Sequence, residues 1–158
     1  MLSEGQAVPD VKLEGMDGQA ISPADFRGQK LVIYFYPKDD TSGCTREAQD
    51  FTALAAEFEK VGAGVLGVSK DDARKHRKFT DKYELKVPLA TDADGSVCEA
   101  FGTWIQKSMY GRKYMGIERA TFLIDGDGLV QRVWRNVKVP GHAQEVLAAA
   151  RALKGRGS

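Results

Sequence analysis

The run Leu31-Val32-Ile33-Tyr34-Phe35-Tyr36, followed at once by Pro37, constrains this chain more than any other stretch. Consecutive apolar residues rich in β-branched and aromatic side chains do not alternate between core and solvent. They read as a strand buried on both faces, in the centre of a sheet. Pro37 has no N–H and stops that strand, and Lys38 to Ser42 carry turn chemistry. From Gly43 onward Ala48, Phe51, Ala55 and Phe58 recur at helical spacing, which predicts a helix to about Lys60 that closes near Gly62 and Gly64. Val65 to Val68 then forms a second apolar strand. Strand, helix, strand implies parallel pairing through a right-handed crossover.

Cys44 falls in the first turn of the predicted helix and on its buried face, with Ala48, Phe51, Ala55 and Phe58. A helix N-terminus leaves about four N–H groups unpaired and carries roughly half a positive charge. A thiol there reaches its reactive thiolate form more easily. Burial works the other way, so a reactive Cys44 needs a nearby cation as well. The alternative is a small buried hydrophobe. Arg119 is the candidate cation. It opens the apolar strand Glu118-Arg-Ala-Thr-Phe-Leu-Ile-Asp125, where an inward charge is costly unless paired. A plain salt bridge at a strand end, with Glu47 or Glu118, explains it too.

The remaining segments order themselves around this unit. Val11 to Leu13 and Gln19 to Ile21 flank a short hairpin. Ser22 caps a brief turn with Pro23 at its first position and Phe26 inward. Asp71 or Asp72 caps the next helix, whose basic run Arg74-Lys75-His76-Arg77-Lys78 reads as a solvated face, with His76 at the helix edge. Val87-Pro88-Leu89 suggests a sheet edge. Ser96 to Phe101 is a short helix with Cys98 in the core. Residues 102 to 118 read as a long connection folded over the active site. Thr121 to Ile124 and Leu129 to Trp134 are strands joined by Asp125-Gly126-Asp127-Gly128, a hairpin signal that lacks the EF-hand ligand pattern. Pro140-Gly141-His142 starts the last helix, and Val146, Leu147 and Ala150 face inward. The tail 154–158 is expected to be disordered, leaving one domain over 1–153.

Composition excludes several classes. The 158 residues suit one domain, and a net charge of +1 supplies no general attraction to nucleic acid or anionic membrane. No apolar run approaches the roughly 18 residues of a membrane span. The N-terminus lacks the regions of a signal peptide, so the cytoplasm is expected, with both cysteines reduced. No His, Cys or carboxylate cluster has metal-site spacing, and neither a metal nor a cofactor is expected.

The pattern Pro37-x-x-x-Thr41-x-x-Cys44 resembles the active-site signature of the peroxiredoxins. The longer string Tyr34-Phe-Tyr-Pro-Lys-Asp-Asp-Thr-Ser-Gly-Cys-Thr-Arg-Glu-Ala-Gln-Asp-Phe51 resembles their Q-type branch, the bacterioferritin comigratory proteins. Further matches at Ala63 to Ser69, Lys113 to Arg119 and Thr121 to Asp125 extend the resemblance over nearly the whole chain. It implies a thioredoxin-like α/β fold, a central mixed sheet with helices on both faces.

The resemblance also implies a thiol peroxidase. Cys44 would attack a peroxide oxygen and become a sulfenic acid. Thr41 would present its hydroxyl to the peroxide, Arg119 would stabilise the thiolate, and Pro37 would cover it without offering a competing donor. Glu47 would orient Arg119, or merely complement the helix dipole. Hydrogen peroxide and organic hydroperoxides are the expected substrates. Thioredoxin or a low-molecular-weight thiol is the expected reductant, and a monomer the expected form. Many Q-type relatives carry a resolving cysteine five residues after the first, but Gln49 stands there, and the helix over residues 72 to 84 has none. Cys98 is therefore the one internal candidate, against a one-cysteine cycle. A thioredoxin-type disulfide reductase is disfavoured by the lack of Cys-x-x-Cys. The alternative from another class is a redox-sensing interaction protein switched by oxidation of Cys44.

Overall fold

In the computed structural model, which describes residues 2–153, Leu31 to Tyr36 are each at most 1% exposed. The elements are β1 (Leu13–Gly15), β2 (Ala20–Ile21), a 3-10 turn (Pro23–Phe26), β3 (Lys30–Phe35), α1 (Ser42–Ala53) and α2 (Ala55–Lys60). There follow β4 (Ala63–Ser69), α3 (Ala73–Tyr83), β5 (Leu89–Thr91), α4 (Ser96–Phe101), β6 (Trp104–Met109), β7 (Arg112–Ile117), β8 (Ala120–Ile124), β9 (Val130–Trp134) and α5 (His142–Ala152). The expected tail, 154–158, lies outside the described residues.

Seven strands form one mixed sheet in the order β2-β1-β5-β4-β3-β8-β9. β3 pairs parallel with β4 and antiparallel with β8, so the apolar run sits where the sequence puts it, with strands on both sides. Successive residues of a strand point to opposite faces, and β3 divides the core accordingly. Val32, Tyr34 and Tyr36 join Cys44, Ala48 and Phe51 of α1, Phe58 of α2, Phe79 of α3 and Val146 and Ala150 of α5. Leu31, Ile33 and Phe35 join Val97, Cys98 and Phe101 of α4, with Phe122 and Ile124 of β8. Helices thus cover both faces, four on one and the short α4 on the other.

Two close packings explain local sequence choices. Gly67 of β4 lies against Tyr34, whose ring atoms would stand 2.7 Å from a Cβ there. That gap lets the Tyr34 ring stack on Phe51 at 4.7 Å between centroids. Lys30, 8% exposed, sends its ammonium to the Ala150 carbonyl at 2.8 Å, satisfying an orphan acceptor in the last turn of α5.

Four expectations need correction. The helix expected to run unbroken to Lys60 tightens at Leu54, whose N–H bonds to the Phe51 carbonyl only three residues back. The segment expected at a sheet edge is β5, inside the sheet between β1 and β4; Pro88 precedes the strand, and its carbonyl accepts from Gly67 N–H. The long connection over 102 to 118 is a hairpin, β6 pairing with β7 from Trp104↔Ile117 to Met109↔Arg112. Its turn is Tyr110-Gly111, both with positive φ, a primed-turn geometry carried here by a tyrosine rather than the usual asparagine. His76 is not at the helix edge but 0% exposed.

Candidate active site

Thr41 is the N-cap of α1, so Ser42, Gly43 and Cys44 are its first three residues, whose N–H groups have no carbonyl one turn earlier. Cys44 is 1% exposed. Glu47, three residues on, shares its helix face. From the start of β8, Arg119 reaches across to both. Its Nη1 donates to Glu47 Oε1 at 2.7 Å and its Nη2 to Cys44 Sγ at 3.4 Å. One planar guanidinium therefore spans the acid and the thiol, a fork geometry that a lysine ammonium does not have. Gly43 makes room for it, since a Cβ there would stand 3.1 Å from Arg119 Nη2.

The electrostatics of this trio follow from burial. Burial pushes the Glu47 carboxyl up to about 7, against the lowering pull of Arg119. Its second oxygen, Oε2, is buried without a hydrogen-bond partner among the described residues. Burial also opposes the charge of Arg119, but Glu47 and the sulfur of Cys44 outweigh it and hold the guanidinium above its ordinary value.

The loop between β3 and α1 is held from α3. His76 Nε2 faces the Ala90 carbonyl at 3.1 Å, and a carbonyl only accepts, so that nitrogen carries a hydrogen. Its Nδ1 lies 2.7 Å from Asp39 Oδ2, while Tyr36 donates to Asp39 Oδ1 at 2.6 Å. Asp40, in the left-handed region, is bound by Lys82 at 2.8 Å and by Tyr83 at 2.6 Å. These bonds hold its carboxyl below the usual range. Asp39, Asp40 and His76 were not legible as site supports, because the side-chain bonds that tie α3 to this loop join residues 37 to 43 positions apart.

Of the residues predicted from sequence, Cys44 and Arg119 meet directly. Pro37 lines a cavity with Arg119, Ile105, Lys107 and Tyr114. Thr41 makes no hydrogen bond to the sulfur; its hydroxyl donates to the Lys38 carbonyl at 3.0 Å. Cys98 lies apart, in the core cluster on the opposite face of the sheet. Burial, then Asp92, raises its thiol well above the ordinary value. Among the described residues no group of three or more His, Cys, Asp or Glu is arranged to hold a metal.

A mixed sheet of this order, with an arginine-bound thiol opening a helix, is the architecture of thioredoxin-like thiol enzymes. Residues 5–133 match the AhpC/TSA family. Peroxiredoxin Bcp of Bacillus subtilis is 45% identical over 143 residues, 90% of this chain and 91% of that one. Peroxiredoxin Bcp of Xanthomonas campestris is 52% identical over 125 residues, 79% and 78% of the two chains. A solved structure of the Xanthomonas campestris bacterioferritin comigratory protein, from a study of its alkyl peroxide reduction, superposes with a TM-score of 0.89. It is 44% identical and covers 95% of this chain and 98% of its own. The chain belongs to the AhpC/TSA family and, within it, to the peroxiredoxins of bacterioferritin comigratory type. It is a thiol peroxidase, taking a peroxide as substrate and a thiol as reductant.

Proposed function

We propose that Cys44 is the peroxidatic nucleophile and that Arg119, Thr41 and Pro37 complete its site. The observation that carries this is the guanidinium held between Glu47 Oε1 and Cys44 Sγ. The thiolate attacks the terminal oxygen of a hydroperoxide. An S–O bond forms, the O–O bond breaks, and the departing oxygen takes a proton and leaves as water or an alcohol. Charge moves from sulfur to that oxygen, so donors fixed around it lower the barrier: Arg119 and the N–H groups of Gly43 and Cys44. The Thr41 proton is engaged by the Lys38 carbonyl, which leaves its lone pairs free to accept from the peroxide O–H. Pro37, with no N–H, closes the site without competing for the sulfur. Hydrogen peroxide and organic hydroperoxides are the substrates, in keeping with the alkyl peroxide activity of the Xanthomonas relative.

The cycle closes through an external thiol, thioredoxin or a smaller one. Cys98 sits on the far side of β3, and a disulfide needs Cα atoms within about 7 Å, which supports a one-cysteine cycle. Two free, buried cysteines suit a reducing compartment, the cytoplasm. We read residues 1–153 as one domain acting as a monomer; large exposed apolar side chains gather mainly on the β6–β7 hairpin rather than over a broad face. The test is peroxide consumption by wild type and Cys44→Ser with the same reductant. The folded variant is expected to lose the activity, and retention of most of it would end this reading.

A further inference from the structure

The cavity beside Arg119 holds a second cation. Lys107 of β6 lines it together with Pro37, Ile105, Tyr114, Arg119 and Val137, in a space of about 420 Å³, within the range of small-molecule sites. The register of the hairpin sets this up. Ile105↔Gly116 and Lys107↔Tyr114 are alternate pairs on one face, and Gly116 leaves the Lys107 stem room, at 3.4 Å from where a Cβ would be. Lys107 is half-buried, and its ammonium is held below its ordinary value, first by desolvation and then by the like charge of Arg119.

Glu118 lines the same cavity and its charge favours the Lys107 ammonium, but neither neighbouring acid is bonded to it. Glu118 is committed to Arg135, through two bonds of 2.8 Å, and to Asn136 N–H; Glu47 is committed to Arg119. No described residue forms an ion pair with Lys107. A partly desolvated cation with Ile105, Tyr114 and Val137 nearby and an arginine beside it is placed to receive an anion. The hydroperoxide is neutral. The reductant is not, since a thiol attacks as its thiolate.

We propose that Lys107 is a specificity-determining residue of the reductive half-reaction, seating the carboxylate of a small anionic thiol in the cavity beside Arg119. This rests on the reading that the Cys44 sulfenic acid is reset from outside. The thiolate attacks the Cys44 sulfur, an S–S bond forms, the S–O bond breaks, and the hydroxide takes a proton and leaves as water. A second molecule of thiol attacks the sulfur of the first. It releases Cys44 as thiolate and carries away the small disulfide, so two thiols supply the two electrons. The methylene stem of such a thiol would lie on Ile105, Tyr114 and Val137.

The experiment oxidises the protein with one equivalent of hydrogen peroxide, then measures reduction by 3-mercaptopropionate and by 3-mercaptopropionamide, each expressed per thiolate. In wild type the carboxylate is expected to be favoured roughly fivefold, the size of a partly exposed ion pair. That preference should fall to about one in Lys107→Met, return in Lys107→Arg, and shrink in wild type at high salt. The ratio within each variant cancels any change in overall reactivity. An equal preference in wild type and Lys107→Met would overturn the proposal, and so would turnover with a dithiol protein when neither small thiol reacts. Failure of peroxide to oxidise wild-type Cys44 would instead sink the underlying reading.

Discussion

Replacing Glu47 by glutamine should change how the stability of this protein depends on pH. Glu47 is 1% exposed, with one oxygen on Arg119 and the other without a partner among the described residues. Burial raises its carboxyl from an ordinary 4.5 to about 7, even with Arg119 alongside. The native state therefore holds the proton more tightly than the unfolded chain. Stability from this group is fully present below about 4.5 and is lost as pH rises through about 7. Glutamine has no such proton to lose. Between pH 5 and 8 the variant should gain on the parent by on the order of 3 kcal/mol. The offset at low pH depends on what Arg119 loses, so only the change with pH is diagnostic. Urea unfolding of Cys44→Ser and Cys44→Ser/Glu47→Gln at several pH values measures it, and the serine keeps thiol oxidation out of the comparison. A stability difference that stays flat from pH 5 to 8, or that moves against the variant, would refute the argument.

Arg119→Ala removes a donor to the reacting sulfur and strands Glu47, so rapid-mixing measurements of Cys44 oxidation should show a rate lower by about 10²-fold. Arg119→Lys should recover only part of it, because an ammonium lacks the planar fork that spans Glu47 Oε1 and Cys44 Sγ; an alanine variant within threefold of wild type would mean that the guanidinium is structural. Cys98→Ser should behave as wild type in multiple turnovers, and intact mass after stoichiometric peroxide with a sulfenic-acid trap should show the same adduct in both. A loss of two hydrogens in wild type alone would identify Cys98 as the resolving residue despite its place across the sheet.

What the sequence by itself determined is what depends on near neighbours in the chain. The apolar run Leu31 to Tyr36 could only be a central strand, and the periodicity from Cys44 to Phe58 set which face of the helix is buried. The Asp125 to Gly128 turn declared its hairpin, and the Ser22-Pro23 cap declared the 3-10 turn that follows it. Cys44 was legible as a thiol at a helix N-terminus, and Arg119 as a charge that needed a partner. Tertiary structure decided the rest. The β6–β7 hairpin was hidden because its turn is Tyr110-Gly111, whose positive φ values are paid for by twelve paired residues rather than by turn propensity. His76 looked like one member of a basic helix face, yet the partners of its two nitrogens, Asp39 and the Ala90 carbonyl, come from segments that meet only in the folded sheet. Spacing along the chain could not say whether Cys98 reaches Cys44. What the fold adds is which face of β3 each packs against, a property of strand order that arises only once β3, β4 and β8 lie side by side.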